Sequence, residues 1–207
     1  MNSKTIVFIT NNSYKFQIAK TVLNDSGVKL TQKKLGVPEI QNESVERVAA
    51  FSARWASTIL KKSVAVSDGG CYIEALNGFP GPFIKYINQW LCAQDLLRIM
   101  HDKRNRRVVW KDCLAYCEPG KEPVTFVSYF RGKFARKAGE NPYRKNYGWI
   151  DTLFVPEGFT KPLSELPTKE YLRFWGNDKN YDSWKRLLKY LSGAQRARKW
   201  LDKLTTG

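Results

Sequence analysis

The chain has 207 residues, of which 43% are hydrophobic and 14% aromatic, so it can bury a full core. Its length suits one domain, or one domain divided into two lobes. No apolar stretch approaches the about 18 residues that span a bilayer, which excludes a membrane partner. Four cysteines without a CxxC pair exclude a dense disulfide framework, so we expect a soluble, cytoplasmic protein with reduced thiols.

The charge of the chain is strongly unbalanced. Its 35 Lys and Arg residues against 19 Asp and Glu residues give a formal net charge of +16. This predicts attraction to polyanions without identifying them. Two interpretations stay open, a solvated basic surface that maintains solubility and a direct role in ligand binding.

The first 60 residues predict alternating strands and helices. The apolar run Ile6–Ile9 is typical of a strand, and helical spacing begins after Asn12 or Ser13, either of which can cap the helix. A strand around 28–31 follows, and a second helix is predicted over Ser44–Leu60. The stripe that this helix is expected to bury consists of Val45, Val48, Ala49, Ser52, Ala56 and Ile59.

The middle of the chain predicts a buried strand and a hairpin. Val64–Val66 favours a strand that stops at a tight turn over Ser67–Gly70. Helical periodicity then runs from near Ile84 to Met100. Two β-like segments, Val108–Cys117 and Val124–Phe134, are expected to pair as a hairpin.

The last third predicts a polar loop over Ala138–Tyr147, a brief strand at Leu153–Val155 and a basic closing helix over Tyr181–Leu204. Strands and helices therefore mix along the whole chain, with several strand-to-helix junctions. This pattern predicts a mixed α/β fold in which helices flank a central twisted sheet.

The end of the first strand is a candidate anion site. Thr10, Asn12 and Lys15 bring a hydroxyl, an amide and an ammonium to a helix start, where free backbone N–H groups also point. The alternative is an ordinary helix cap with a surface lysine. The glycines of a P-loop are missing.

Two carboxylates are candidates for metal or base chemistry. Asp68 follows a buried strand and precedes two glycines, which let the backbone approach a ligand closely. A carboxylate in this position suits a magnesium ligand or a base that acts on water, although a turn-forming Asp gives the same pattern. Glu39, beside Pro38, is the second candidate, with an exposed loop carboxylate as the alternative.

Short sequence blocks recur in a fixed order along most of the chain. They are Thr10-x-Asn12-x-x-Lys15, Val37-Pro38-Glu39, Ser67-Asp68-Gly69, ALNGFPGPFIK at 75–85, Phe130-Arg131-Gly132, Tyr147-Gly148-Trp149, Phe154-x-Pro156-x-Gly158, then Glu165 and Lys179-Asn180-x-x-Ser183. The fourth block is the most specific and resembles the eukaryotic branch of a known family. Taken together, the blocks resemble the inosine triphosphate pyrophosphatases.

This resemblance implies one two-lobed domain over 1–207, a homodimer, and hydrolysis of ITP, dITP and XTP to the monophosphate and pyrophosphate. It implies that Thr10, Asn12 and Lys15 grip the triphosphate and that Glu39 and Asp68 bind Mg²⁺ and activate water, Lys15 being catalytic with them. Tyr147 and Trp149 are candidates to stack on the base. The complete set of implied nucleotide-binding residues is Thr10, Asn12, Lys15, Arg54, Lys85, Tyr147, Trp149, Asp151, Lys179, Ser183 and Lys185.

Three departures from the family fall near the implied phosphate and metal positions. Ser67 replaces an acidic residue, which removes an anionic magnesium ligand. Phe51 replaces a lysine, although Arg54, one turn later, is expected to reach the same phosphate. Compared with the family pattern, this chain has about seven extra residues around 171–178.

The other departures concern the base. Ile150 interrupts the family's Gly-Trp/Tyr-Asp run and so separates Asp151 from Trp149. Trp184 and Lys185 replace a histidine and an arginine, and an ammonium lacks the fork geometry of a guanidinium. We therefore expect metal affinity, rate or base selectivity to differ from the family's norm.

Three alternatives remain. A related pyrophosphatase could prefer a pyrimidine or a modified base, and an inactive scaffold would release no pyrophosphate. The third is a nucleic-acid-binding protein, which would contact phosphates non-specifically through a basic surface. The basic residues of the predicted closing helix are Lys185, Arg186, Lys189, Arg196, Arg198, Lys199 and Lys203.

Overall fold

A computed structural model describes residues 4–140, 148–176 and 183–193. Its strands are β1 (Lys4–Ile9), β2 (Val28–Lys33), β3 (Val64–Ile73), β4 (Pro80–Gly81), β5 (Arg107–Cys117), β6 (Val124–Phe134) and β7 (Phe154–Pro156). Its helices are α1 (Ser13–Val22), α2 (Val45–Leu60), α3 (Ile84–Trp90), α4 (Ala93–Ile99), α5 (Trp149–Leu153) and α6 (Thr168–Gly176). Residues 183–193 are also helical.

The strands form one mixed sheet in the order β2-β1-β3-β5-β6-β7, with β4 paired to β3. Strand β1 runs parallel to β2 and β3, whereas β5, β6 and β7 continue the sheet by antiparallel pairing. The predicted hairpin is confirmed, because β5 and β6 pair from Arg107↔Lys133 to Tyr116↔Val124. The mixed α/β fold class is likewise confirmed.

Each face of the sheet carries its own apolar cluster. One cluster includes Phe8, Leu114 and Trp184, and it joins the sheet to α1 and to the helix at 183–193. The other includes Val66 and Cys113 and joins the sheet to α2. Helices therefore cover both faces, which leaves the strand ends and connecting loops to form a ligand site.

The buried side of α2 differs from the predicted stripe at its last turns. Ile59 is 57% exposed, while Ala53 and Ser57, which the predicted stripe leaves out, are buried. Ser44 caps the helix, as its Oγ accepts a hydrogen bond from the Arg47 N–H at 3.2 Å. The prediction was right for most of the stripe and wrong for Ile59.

The predicted turn at Ser67–Gly70 is wrong, because β3 continues to Ile73 and pairs with β5 along its whole length. The glycines serve packing between neighbours. A Cβ on Gly69 would lie 2.9 Å from the Trp110 ring, and one on Gly70 would lie 3.0 Å from the backbone of Gly81. The glycines, which are typical of a turn, are present in this strand because an aromatic ring and a second strand approach its backbone closely.

The single helix predicted from Ile84 to Met100 is two helices, α3 and α4. Leu91 and Cys92 between them have extended backbone. The Cys92 N–H donates to Asp95 Oδ2 at 2.9 Å, which starts the second helix. All four cysteines are free thiols. Among the residues described, none of the helices combines the length and apolar character that a membrane span requires.

Glu118, just after β5, connects β5 to β1, the two strands on either side of β3. It accepts hydrogen bonds from Lys4 Nζ at 2.6 Å, Lys121 Nζ at 2.7 Å and the Tyr116 hydroxyl at 2.9 Å. Burial acts to raise the pKa of Glu118, but the bonds from Lys121, Lys4 and Tyr116 outweigh burial and hold the pKa at about 2. The ionised carboxylate is therefore favoured by folding.

We expect Glu118→Gln to lower the free energy of unfolding by about 1 to 2 kcal/mol at pH 7. Because the folded pKa lies below the usual value of 4.5, this contribution is complete above about pH 4.5 and is lost as pH falls toward 2. Urea unfolding at pH 7, 4 and 2.5 measures it. The exposed Glu157→Gln is the control, and a wild-type-to-variant difference independent of pH would contradict the assignment.

Candidate functional site

The junction of β1 and α1 is built as the sequence predicts. Asn12 is the cap of α1, and its Oδ1 accepts a hydrogen bond from the Lys15 N–H at 3.0 Å. Thr10 Oγ1 accepts from the Asn12 N–H at 3.1 Å. The loop is thereby fixed so that the side chains of Thr10 and Lys15 face the same cleft.

This cleft has a volume of about 550 Å³ and lies between the β1–α1 junction, the loop at 39–42, the middle of β3 and the start of α3. Strand β5 and helices α5 and α6 complete its wall. Seven of the predicted site residues line it. They are Thr10, Asn12, Lys15, Glu39, Asp68, Lys85 and Asp151.

The cleft is acidic although the chain is basic. Its described lining carries four carboxylates, Glu39, Asp68, Asp112 and Asp151, against the two ammonium groups of Lys15 and Lys85. The net charge of +16 therefore lies mostly elsewhere on the molecule. An anionic ligand would be repelled here unless a cation accompanied it, and this acidic lining favours a metal complex over a bare polyphosphate.

Asp68 is the most perturbed carboxylate of the cleft. Burial raises the pKa of Asp68 from 3.8 to about 6. The charge of Lys15 and a hydrogen bond from the Gly69 N–H oppose this effect, while the charges of Asp112 and Glu39 add to it. A buried carboxylate that senses one ammonium and two further carboxylates is typical of a functional site.

Lys15 belongs to a side-chain network at the floor of the cleft. Its Nζ lies 3.0 Å from Ser67 Oγ and 3.3 Å from Asp112 Oδ1. The Ser67 hydroxyl is 3.1 Å from Asp112 Oδ1 and 3.3 Å from its Oδ2. Asp112 is only 3% exposed and Lys15 is 30% exposed, so the network holds an ion pair between β5 and α1 in which the carboxylate is nearly buried.

Sequence reasoning missed Asp112. The signal was present, because Val108, Leu114 and Tyr116 recur at every second position or multiples of it along β5 and belong to one apolar cluster, and Asp112 occupies the same face of the strand. A carboxylate on the buried face of a strand is unusual enough to mark a site.

Glu39 is the exposed member of the carboxylate set. Its Oε2 lies 3.2 Å from Lys85 Nζ, and both side chains are more than half exposed, so the pair adds little stability. No cluster of three or more His, Cys, Asp or Glu side chains within the described ranges is arranged to hold a metal by itself. Oxygen donors without histidine or cysteine still suit Mg²⁺, which is bound by one or two carboxylates together with substrate phosphates and water.

Two implied nucleotide-binding residues lie away from the cleft lining. Arg54 is exposed on α2 and pairs with Glu122, so it does not replace the family lysine at this cleft. Trp149 is 3% exposed and packs in the core, with its ring 6.2 Å from that of Phe134. The burial of Trp149 follows from its position at the start of the fully buried helix α5.

The C-terminal candidates also lie outside the lining. Ser183 is fully buried, and Lys185, two positions later in the helix at 183–193, is exposed. Tyr147 and Lys179 lie outside the described residues. The segment that we predicted to be an insertion, by contrast, contributes to the cleft, because α6 places Tyr171 and Trp175 in its wall.

Aromatic rings line part of the cleft wall. The rings of Trp110 and Trp175 meet edge to face with centroids 5.9 Å apart, and those of Tyr14 and Tyr171 meet at 6.4 Å. These residues come from α1, β5 and α6, which are distant in the sequence. Such rings suit an aromatic base.

The α/β sheet, the anion junction, the converging carboxylates and the aromatic wall around one cleft are the features expected of a protein that binds a phosphorylated aromatic ligand. The sequence matches the Ham1 family over residues 6–174. The chain belongs to this family.

Similar proteins carry consistent names. The chain is 36% identical over 165 residues to the dITP/XTP pyrophosphatase of Methanopyrus kandleri, covering 80% of this chain and 86% of the relative. It is 38% identical over 165 residues to the enzyme of the same name from Methanosarcina mazei, with the same coverage of both chains. It is 30% identical over 163 residues to the inosine triphosphate pyrophosphatase of Batrachochytrium dendrobatidis, covering 79% of this chain and 83% of the relative.

Solved structures share the fold. A HAM1 protein from Coxiella burnetii matches with a TM-score of 0.74 at 20% identity, covering 92% of this chain and 99% of the other. The Ham1 protein of Staphylococcus aureus matches with a TM-score of 0.71 at 21% identity, covering 92% and 100%. At these identities the likeness establishes the architecture.

Proposed function

We propose that this protein hydrolyses non-standard purine nucleoside triphosphates, dITP, XTP and ITP, to the monophosphate and pyrophosphate, and so cleanses the nucleotide pool. The names of relatives that are 30 to 38% identical over about four fifths of the chain support this activity. The observation that carries it is the single cleft in which Lys15, Glu39 and Asp68 meet.

The residues of the cleft divide into two groups by chemistry. Thr10, Asn12 and Lys15 offer donors for phosphate oxygens at the start of α1, where the helix dipole also favours an anion. Lys85 adds a second ammonium from the start of α3. We propose that these residues hold the triphosphate, with Lys15 next to the bond that breaks.

The carboxylates would hold Mg²⁺, with Glu39 and Asp68 as the family ligands. A bound magnesium ion would neutralise phosphate charge and lower the pKa of the attacking water. Asp68 would accept the proton of that water through its carboxylate and align it for in-line attack. The acidic lining supports this dependence, because the described residues alone do not balance the charge of a triphosphate.

Base recognition would use the aromatic wall. A 6-oxo purine presents an acceptor where adenine presents an amino donor, so donors aimed at that edge separate the two. The rings of Trp110 and Trp175 support a stacking role here. Asp151, which lines the same cleft, remains a candidate contact to the nucleotide.

The direct test is pyrophosphate release with Mg²⁺ across a panel of ITP, dITP, XTP, ATP, GTP, CTP and UTP. We expect kcat/KM for the first three to exceed the value for ATP by at least about 100-fold, since a site built for the 6-oxo edge penalises the amino group of adenine. GTP, which is also a 6-oxo purine, measures separately whether the 2-amino group is discriminated. A preference for CTP or UTP would show that the substrates are pyrimidine nucleotides, while the type of reaction would stay as proposed. Absence of release from every triphosphate would refute the proposal.

Other expectations remain proposals. We propose one two-lobed domain over 1–207, a cytoplasmic location and a homodimer. The exposed rings of Tyr86 and Trp90, 5.8 Å apart on α3, support a protein-contact surface, and Trp90 is 71% exposed. Sedimentation equilibrium tests the dimer.

Non-specific contact with nucleic acid is supported by the net charge alone, and a salt titration against single-stranded RNA tests it.

A further inference from the structure

A second concave surface lies where β5 begins and β6 ends. It consists of three hollows of about 610, 490 and 490 Å³, and none of their described lining residues lines the cleft. Arg106 lines both the first and the second hollow, while Arg107 and Lys133 line both the second and the third. The three hollows therefore adjoin one another, and together we call them the basic groove.

The charge of the basic groove is the reverse of that of the cleft. Its described lining carries eight Arg and Lys side chains against two carboxylates, those of Glu74 and Glu157. Two of the eight form ion pairs, Arg98 with Asp95 and Arg107 with Glu74. Within the described residues, no carboxylate lies at ion-pair distance from the other six, which are Arg104, Arg106, Arg131, Lys133, Arg136 and Lys137. The groove thus concentrates positive charge that the protein itself hardly compensates.

Strand register places three of these cations side by side. Arg107 is directly opposite Lys133, and Arg131, two residues before Lys133, projects from the same face of the sheet. Like charges directly opposite each other on neighbouring strands destabilise a sheet. Glu74 offsets this repulsion only weakly, because its Oε2 lies 3.7 Å from Arg107 Nη1 and the Arg107 side chain is 78% exposed. An anion bound above the three side chains would remove the repulsion.

Arg106 fixes a further charge where the first and second hollows meet. Its Nε donates to the Phe134 carbonyl at 3.1 Å and its Nη1 to the Met100 carbonyl at 2.7 Å, while Nη2 donates to the Ala135 carbonyl. These bonds hold the guanidinium in one position without supplying a negative charge. Burial lowers the pKa of Arg106, and the charge of Arg136 lowers it further. The fold therefore keeps two cations close together in the wall of the groove.

The form of the basic groove favours a linear polyanion over a single small anion. Its cations are distributed over three adjoining hollows, so one phosphate could neutralise only some of them. A lipid surface fits less well, because binding at a membrane surface also uses exposed apolar side chains. None of the large exposed apolar side chains among the described residues lines the groove. A flexible chain of phosphates matches both the charge and the concave form.

We propose that the basic groove binds the phosphate backbone of a single-stranded nucleic acid without sequence preference. Arg107, Arg131 and Lys133 contact phosphates at one end and Lys137 at the other, with Arg106 as a fixed charge between them. This inference gives a defined surface to the nucleic-acid contact that the net charge suggests. It is independent of hydrolysis in the cleft, because the described linings of the two sites share no residue.

The test is binding of a fluorescein-labelled oligouridylate of about 20 nucleotides, measured by fluorescence anisotropy in EDTA between about 50 and about 200 mM KCl. In the triple variant Arg107→Gln/Arg131→Gln/Lys133→Gln, we expect the affinity at about 100 mM KCl to fall at least about 10-fold. The slope of log K against log [KCl] should become shallower by about 2, since each lost contact to a single strand contributes about 0.7. The melting temperature should equal or exceed that of the wild type, because the repulsion between the strands is relieved.

The matched control is a second triple variant, Lys29→Gln/Lys33→Gln/Lys34→Gln. It removes the same charge from exposed side chains on and beside β2, the edge strand at the other side of the sheet. We expect its affinity for the oligouridylate to stay within about threefold of the wild type. Pyrophosphate release from dITP should be unchanged in both triple variants, since none of the substituted residues lines the cleft.

Equal loss of affinity in the two triple variants would overturn the inference, because binding would then follow the net charge and not the groove. It would also be overturned by a wild type that does not bind the oligouridylate at about 50 mM KCl, or that binds vesicles of phosphatidylcholine and phosphatidylserine in its place. Each of these outcomes leaves pyrophosphate release, and with it the proposed hydrolysis, unaffected.

Discussion

We expect Asp68→Asn to lower kcat for dITP by about 10³-fold or more while the protein stays folded. The amide keeps the shape of the side chain but can neither accept the proton of the attacking water nor supply negative charge to a cation. The loss of the proton acceptor falls on the transition state, so kcat should fall by much more than KM rises. Steady-state pyrophosphate release over a range of dITP concentrations separates the two constants.

The same variant should be at least as stable as the wild type in the absence of metal. Burial raises the pKa of Asp68 to about 6, so the ionised form is disfavoured by the fold. Above about pH 6 the wild type bears this cost, and below about pH 4 the carboxyl is protonated in folded and unfolded chains alike. In EDTA at pH 8 we therefore expect the Asp68→Asn variant to gain about 1 to 2 kcal/mol, a gain that disappears toward pH 4.

The stability measurement guards against a trivial explanation of lost turnover. A variant that is inactive because it unfolds would show a lower melting temperature, whereas a functional carboxylate held at a cost to stability predicts the reverse. For both the turnover and the melting temperature, Asp102→Asn, at an exposed carboxylate, is the control. Turnover within a few fold of the wild type in Asp68→Asn would remove Asp68 from the catalytic role.

The sheet could be predicted well because its signals are local. Apolar runs such as Ile6–Ile9 and the alternation of β5 and β6 reflect burial on one or both faces, which each strand shows by itself. The turn predicted at Ser67–Gly70 failed for a tertiary reason. Its glycines admit the Trp110 ring and the backbone of β4, and sequence composition alone does not distinguish a close approach from a chain reversal.

Part of the cleft lining could be predicted because its signals are also local. Short motifs of neighbouring residues contain Thr10, Asn12, Lys15, Glu39 and Asp68. Their convergence in one cleft follows from sheet order, which places β1 beside β3.

Short motifs could not predict the residues that reach the cleft through strand pairing or from distant elements. Asp112 reaches the cleft because β5 pairs with β3 in one particular alignment, and a shift by one residue would turn it to the other face. Trp175 lies on α6, within the segment that we predicted to be an insertion and that the motifs do not cover. Trp149 is the opposite case. Its motif predicted a residue that stacks on the base, but its side chain is buried in the core.

We expect Lys15→Met to weaken nucleotide binding by about 10- to 100-fold, because a charge-assisted bond to phosphate is worth about 1.5 to 3 kcal/mol. Methionine keeps most of the apolar stem, so the packing of this part of the side chain should survive. Affinity for the α,β-methylene analogue of dITP, measured by calorimetry with Mg²⁺, reports this loss without turnover. Lys20→Met, exposed at the end of the same helix, is the control.

Lys15→Met should also destabilise the free protein, because Asp112 is nearly buried and loses its cation. We expect about 2 kcal/mol, less than for a fully buried pair since Lys15 is 30% exposed. In the background of Asp112→Asn this destabilisation should largely vanish, while the loss of nucleotide affinity remains. The two roles of Lys15 then separate in one double-mutant cycle. Equal destabilisation in both backgrounds would show that the ion pair contributes nothing and that Lys15 acts on the ligand alone.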